Sequence, residues 1–596
     1  MFQRLTPALF LVAALTAQDD PGTTFAYRIP VALGPIRAAA LEAGFDLAHG
    51  RANDPDLLVY VLPGAEHDAF LRLFPEAQLV ARGSPYAGGG GLDVPDAAYY
   101  TTAEIVAEID ALVLAHPTLA RRVDVTTLPG AARTHANQSI WALVVSDSVT
   151  QAEDEPAVLL AAQHHARELN SPHMVLRAAQ RVLAGHGVDP ALTALVDETE
   201  LWFVPCVNPD GVDHVWNVDQ LWRKNRRNNG ANYGVDPNRN YPTHWGACGS
   251  STTTSSETYR GPSAGSEPEV RSMRALVASI RPEIYLDFHS YGQQVLFPYA
   301  PCTTAGATVQ AFLDRYVDDL RAPMSYGRRL PSASGEAPED HWTSSGTLSF
   351  LIEVGTAFQP AFATTVAEEA RVWPGIRRAL TAWRPALRGH VRSVRFGTPL
   401  EATLTYTPAT FSYGEVTRSR AGDGRYALWL PLGTWQVTAT APGHDSVTRS
   451  VTVTTLDTPQ TFEFELMPSL PPATLTKSGS ERVGTAVTLT YTAPGDAGRT
   501  YWIPLSAGTV PGFAIGNRLL PLNADGLMEL SLGATPLLAG NLGVLPGNAQ
   551  GVATLNIPPL PAIVGVAFFA GGITFETGYA YGIERWAPPV PIVIQP

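Results

Sequence analysis

The chain has 596 residues, 45% of them hydrophobic and 16% charged, enough for roughly four domains at about 150 residues each and too apolar for a disordered chain. Its formal charge of −14 supplies no net basic field, which argues against a nucleic-acid partner. The 52 glycines and 50 prolines call for many turns and therefore much β-structure.

Residues 1–18 read as a signal peptide. Arg4 precedes an apolar run of about a dozen residues, and small residues then lead to Asp19 and Asp20. The run is shorter than the roughly 20 residues that span a bilayer, and cleavage is expected between Ala14 and Gln18. No later segment is long and apolar enough to cross a membrane, so a secreted product, extracellular or periplasmic, with no transmembrane anchor is expected. Of the three cysteines, Cys248 and Cys302 are the expected disulfide pair in an oxidising compartment. Cys206, within LWFVPC, reads as a small core residue. The absence of any Cys-x-x-Cys excludes a structural zinc ribbon.

Residues 19–91 read as a small α/β module. TFAYRIPV, FDLAHG, LLVYVLP and AQLVARG suit strands, and helices are expected at Pro35–Ala43 and Ala65–Phe74. The glycine run after Ala87 is a flexible linker by composition. Residues 92–384 form the next block. Thr101-x-x-Glu104 is a capping box opening a helix to about Leu114, stopped by Pro117. PAVLLAA, LWFVPC, EIYLDFH and LSFLIEV then alternate with helices after Pro172 and around 267–280, as in a sheet buried on both faces. Residues 385–467 turn to short strands of period two broken by Pro-Gly turns. Residues 468–596 are again β-rich, and VGVAFFAGGI suits a core strand.

One segment carries most of the chemistry, Ala161-Ala-Gln-His-His-Ala-Arg-Glu168. His165 and Glu168 are three apart, so in a helical first turn both side chains share a face, and a neutral imidazole with a carboxylate is an ordinary zinc pair. His164, four before Glu168, is an alternative ligand by spacing. The segment follows an apolar strand, His289 ends a second and Glu353 ends a third. Ligands of open α/β sheets bind outside the carboxyl ends of strands. Gly261-Pro-Ser-Ala-Gly265 fits the serine-hydrolase pattern Gly-x-Ser-x-Gly but lacks the apolar strand that must precede it, and a loop is expected there.

Residues from about 97 to 384 resemble the carboxypeptidase A family of zinc carboxypeptidases. The motifs are His165-Ala-Arg-Glu168, Asn208-Pro-Asp-Gly211, Leu221-Trp-Arg-Lys224, Val235-Asp-Pro-Asn-Arg-Asn240, Ser256-Glu-Thr-Tyr-Arg-Gly-Pro262, Phe288-His289-Ser290-Tyr291 and Glu353 in its strand. The resemblance implies an α/β fold with a mixed sheet flanked by helices. It implies one Zn2+ on His165, Glu168 and His289, and Glu353 as general base and then acid. Arg223 would stabilise the oxyanion. Asn238 and Arg239 would hold the C-terminal carboxylate of a peptide or protein substrate, and Arg167, Ser290 and Tyr291 would line upstream subsites. A zinc amidohydrolase acting on cell-wall peptides or N-acyl amino acids, and a binding protein without catalysis, are the rival readings.

The family's mobile tyrosine has its place near Pro331 here, with Tyr326 close by in sequence. The stretch Glu336–Trp342, where the family sets side-chain preference, holds Glu336, Glu339 and Asp340. Either an acid enters the pocket, which favours C-terminal Lys or Arg, or the stretch is an exposed acidic loop. Residues 19–91 sit where the family often carries a pro-segment, and residues 385–467 resemble the transthyretin-like β-sandwich found beside some carboxypeptidases.

Overall fold

The structure, a computed structural model, describes residues 24–30, 40, 43–47, 56–82 and 96–596, except 395–396, 409–412, 457, 516–517, 534 and 577–581. The expected signal peptide, the glycine linker and most of the helix expected at Pro35–Ala43 lie outside the described residues. The chain divides into two compact units, one ending at Met467 and one beginning at Pro468.

The first unit opens with strands β1 (Phe25–Pro30), β2 (Asp46–Leu47), β3 (Asp56–Val61) and β4 (Gln78–Arg82) in the order β2-β3-β1-β4, and helix α1 (Ala65–Leu73). The period of two divides its apolar residues between two faces. Phe25, Tyr27, Ile29, Leu57, Val59 and Val61 bury against Phe70 and Phe74. Ala26 and Tyr60, on the opposite face, bury against Leu221 and Phe358 of the following domain. This small sheet is therefore apolar on both sides, and its second face is covered by the larger domain.

Helix α2 (Thr102–Ala115) starts at the expected capping box, in which Thr101 and Glu104 cap each other. The strands that follow are β5 (Ala120–Asp124), β6 (Trp141–Val145), β7 (Ala157–Ala162), β8 (Glu200–Val204), β9 (Ile284–Ser290), β10 (Gln294–Leu296), β11 (Gly327–Arg329) and β12 (Leu348–Val354). They form one mixed sheet in the order β11-β10-β12-β9-β7-β8-β6-β5, with β12, β9, β7 and β8 parallel. Alternate residues of β7 enter different cores. Val158, Leu160 and Ala162 join the core with helices α3 (Ser171–Gly185), α7 (Ala307–Met324) and α9 (Phe362–Ala382). Ala157, Leu159 and Ala161 join Val270, Met273 and Leu276 of helix α6 (Pro268–Ile280). Between α3 and α6 lie α4 (Pro190–Asp197) and α5 (Pro209–Asn217), and α8 (Ala337–Ser345) precedes β12. The mixed sheet flanked by helices agrees with the expected fold class.

Residues 387–466 add two four-stranded sheets. Their Leu387, Trp429 and Phe464 share one core with Tyr316 and Leu348 of the larger domain, and Trp429 Nε1 donates to Glu283 O at 2.9 Å. The second unit is β-rich and includes a short helix at Gly526–Leu530. Its strand Ala567–Phe575, overlapping VGVAFFAGGI, pairs with Ile583–Val593 and lends Ala570 to the core. Cys248 and Cys302 form the expected disulfide and Cys206 is buried and unpaired in any bridge.

Candidate metal centre and cleft

The ligand loop begins where β7 ends. The expected helical first turn for His165 and Glu168 is not what forms, because α3 starts only at Ser171. A helix running through Glu168 would need an N–H from residue 172 to reach the Glu168 carbonyl, and Pro172 has none. The loop is instead held from outside. Ala166 N donates to Arg223 O at 2.9 Å, and Asn208 Nδ2 donates to both His164 O and Lys224 O at 3.1 Å. Gly211 permits this approach, since a Cβ there would lie 2.5 Å from Lys224 O and 2.8 Å from Ala166 Cβ. Gly211→Ala is accordingly expected to destabilise the fold by about 1–3 kcal/mol, measured as a lower denaturation midpoint at unchanged slope.

His165, Glu168 and His289 converge, all buried, with one donor atom of each within 4.8 Å of the others. His165 Nδ1 lies 2.8 Å from Glu168 Oε1, and His289 Nδ1 lies 3.1 Å from both Glu168 Oε2 and His165 Nδ1. Two imidazole nitrogens facing each other beside a carboxylate are poorly served by hydrogen bonds alone, and one cation among them serves all three. Burial pushes the Glu168 carboxyl up, but the adjoining His165 and His289 outweigh it and hold the group well below the ordinary carboxylate range.

Each imidazole turns its other nitrogen to a buried carboxylate. His165 Nε2 lies 3.1 Å from Asp236 Oδ1, and His289 Nε2 lies 3.2 Å from Asp287 Oδ2. Such partners fix which nitrogen faces a metal. The donor set and its outer carboxylates therefore fit a catalytic zinc of the two-histidine, one-carboxylate type. His164 is not part of this convergence, because its Nδ1 meets Asp287 Oδ1 at 3.1 Å and its Nε2 meets the Tyr241 hydroxyl at 2.9 Å.

Glu353 is placed by strand register, directly opposite His289 across the parallel β12–β9 pair. Burial, with Glu168 adding to it, pushes its carboxyl up to about 8 against the opposing His289 and Arg329 charges. Arg329, at the end of β11, reaches within 3.7 Å of Glu353. Arg223 donates to Asp236 Oδ2 from Nε at 3.0 Å and from Nη2 at 2.7 Å, so one carboxylate steadies both His165 and this guanidinium.

The residues expected to hold substrate are all buried or half-buried. Arg239 Nη1 donates to Glu336 Oε1 at 3.0 Å. Asn238 accepts from Ala337 N at 2.9 Å, while its Nδ2 is buried with no hydrogen-bond partner, an amide left ready for an anion. Arg167 pairs with Asp46 of β2 and lies over the Tyr60 and Phe358 rings. Ser290 N donates to Glu168 Oε2 at 3.1 Å, and the Tyr291 ring meets Phe358.

Glu336, Glu339 and Asp340 are buried, so the exposed acidic loop is corrected. Glu339 accepts from Thr303 Oγ1 and Gly335 N and Asp340 from Thr243 and Arg274, which consumes both in holding loops to α8. Glu336 alone stands at Arg239, where burial pushes its carboxyl up to about 7 against the pull of that arginine. Tyr326 is buried and donates to Glu368, which takes it out of the cleft. The Gly261–Gly265 segment is a loop ahead of α6, with no strand before it, as expected.

Sequence reasoning assigned no role to Asp46, Asp236 or Asp287. Asp287 carried a readable signal: it is an acid inside an apolar strand, two residues before His289 and so on its face. Asp46 carried none, because only the packing of the first sheet brings it to Arg167.

Two parallel strands and the loop after β7 thus bring two imidazoles and two carboxylates to one buried point. Residues 105–361 match the zinc carboxypeptidase family model. It is 31% identical over 270 residues to zinc carboxypeptidase A 1 of Anopheles gambiae, covering 43% of this chain and 60% of that protein. Carboxypeptidase A2 of Mus musculus is 34% identical over 205 residues, covering 34% and 47%. Zinc carboxypeptidase of Saccharothrix mutabilis subsp. capreolus is 30% identical over 297 residues, covering 46% and 64%. The chain thus spans less than two thirds of the length of these relatives. The crystal structure of carboxypeptidase A from Helicoverpa armigera aligns at a TM-score of 0.48 and 20% identity, over 61% of this chain and 98% of that one.

Proposed function

We propose that the chain is a secreted zinc metallocarboxypeptidase that hydrolyses the C-terminal peptide bond of peptides or proteins. The observation that carries this reading is the convergence of His165, Glu168 and His289 with Glu353 held opposite His289. The first three would hold zinc, which when bound would lower the pKa of water to about 7 and polarise the scissile carbonyl. Glu353 accepts the proton of the attacking water and returns it to the leaving amine; a cation nearby draws its raised pKa down toward that task. Arg223 donates to the developing oxyanion. Asn238 Nδ2 and Arg239 hold the terminal carboxylate, and the need for that carboxylate confines cleavage to the chain end. Ser290, Tyr291 and Arg167 line the positions upstream.

Residues 19–91 act as a pro-segment in this reading. Asp46 takes Arg167 and approaches Arg223 at 3.4 Å, and Tyr60 covers Phe358 beside Tyr291, so the module occupies groups that substrate needs. No helix of the described residues is long and apolar enough to cross a membrane, which is compatible with export.

Incubating processed, zinc-loaded protein with a mixed peptide library and reading products by mass spectrometry tests the function. Single-residue losses from the C-terminus are expected, abolished by a chelator and restored by one equivalent of zinc. Internal cleavage, or activity indifferent to the chelator, would overturn the reading.

A further inference from the structure

Behind His289 lies a chain of buried polar groups that the proposed reaction does not use. The Tyr241 hydroxyl is 2.9 Å from His164 Nε2, His164 Nδ1 is 3.1 Å from Asp287 Oδ1, and Asp287 Oδ2 is 3.2 Å from His289 Nε2. All four residues are at most 1% exposed, and Asp287 Oδ2 and His289 Nε2 meet each other at ion-pair distance while neither makes a hydrogen bond. Tyr285, two residues back on β9, faces the same carboxylate.

Two arguments give this chain a purpose. The first is charge. A buried carboxylate is costly unless a cation balances it, and the ion pairs of Asp287 are with the two histidines alone. Asp236, by contrast, is already matched by Arg223. A divalent ion on His165, Glu168 and His289 is balanced by Glu168 and Asp287 together, so the second carboxylate belongs to the metal's charge set. The second is proton direction. With the Tyr241 O–H donating to His164 Nε2 and His164 Nδ1–H donating to Asp287 Oδ1, Asp287 Oδ2 is left facing His289 Nε2. That order leaves the His289 Nδ1 lone pair, and no other atom of the ring, facing Glu168 and His165.

We propose that Asp287, backed by His164 and Tyr241, is a positioning group that fixes the tautomer and aim of His289 and thereby sets how tightly the chain holds zinc. This rests on the zinc reading above. Outer carboxylates of this kind are worth about 10–100-fold in metal affinity.

The test is zinc affinity of the purified full chain, measured by competition with a chelator of known strength, with the visible spectrum of the cobalt-substituted protein as a second readout. Asp287→Asn is expected to lose about 10–100-fold in zinc affinity and to shift the cobalt bands. Tyr241→Phe is expected to lose less, and nothing further when combined with Asp287→Asn, because it acts through that carboxylate. Zinc affinity of Asp287→Asn within twofold of the parent, or an equal Tyr241→Phe loss in both backgrounds, overturns the proposal. If Asp287→Asn does not fold, the comparison is made with His164→Asn, for which unchanged affinity and cobalt bands overturn it equally. A parent protein that binds no zinc, or that keeps its zinc in His165→Ala, defeats the zinc reading itself and is told apart from these outcomes by the parent measurement.

Discussion

Glu353→Gln is expected to cut turnover of the processed, zinc-loaded protein by about 10²–10⁴-fold, the usual worth of a positioned general base, while zinc remains bound at one equivalent. The amide preserves the shape of the side chain and the β12–β9 register that sets Glu353 opposite His289, so the geometry of the cleft is conserved. What it removes is the ability to take a proton from water. Zinc is retained because the three converging donors are His165, Glu168 and His289. Turnover of a C-terminally labelled peptide, measured beside zinc content on one preparation, checks both halves. A variant within tenfold of the parent would refute the role given to Glu353.

The second large effect concerns the first sheet. Asp46→Asn is expected to raise the peptidase activity of the uncut protein toward that of the cut protein. Breaking a buried charge pair costs about 3–5 kcal/mol because one charge is left without its partner, which corresponds to roughly 10²–10⁴-fold in the docking equilibrium. Arg223 keeps Asp236 after the change, but Arg167 loses the carboxylate it pairs with. Equal activity of uncut and cut parent protein would show that the module does not inhibit.

The same boundary carries a pH dependence. Thr24 donates to Asp219 Oδ2 through N at 2.8 Å and Oγ1 at 2.7 Å, and Glu257 N donates to Glu66 at 3.3 Å. Burial pushes Asp219 up to about 6, Glu257 to about 7 and Glu66 to about 8; Arg167, Lys224, Arg223 and Asp46 are the charges around them. Acids with raised pKa values hold protons in the docked form, so their support is complete below the ordinary carboxylate range and is lost as pH rises through about 6 to 8. Burial lowers Lys224 to about 8, and its opposing contribution comes above that value. Docking is therefore expected to be weakest near pH 8, which limited proteolysis of uncut protein from pH 5 to 8 checks as faster release of the module.

Much of the architecture was legible because local patterns and burial agreed. PAVLLAA reads as a strand buried on both faces, and its alternate residues do enter two cores. Thr101 and Glu104 cap α2 as written. The helical setting of His165 and Glu168 was misread, since spacing of three suits a helix but Pro172 delays α3 to Ser171. The acidic stretch after Gly335 was ambiguous for a different reason. Three carboxylates in a row look solvated until Thr303, Thr243, Arg274 and Arg239 are known to surround them, and those partners come from distant segments.

By itself the sequence determined the four parallel strands β7, β8, β9 and β12 with their apolar faces, and the four residues at or just beyond their ends that pointed to a metal site, because strand period and residue chemistry are local properties. Only the tertiary structure chose His165 over His164 as the imidazole that meets Glu168, set Asp236 and Asp287 behind the two histidines, turned Glu336 toward Arg239 and brought Asp46 to Arg167. Each of these is a contact between groups far apart in the chain, fixed by which faces are buried together and by the need of every buried charge for a partner.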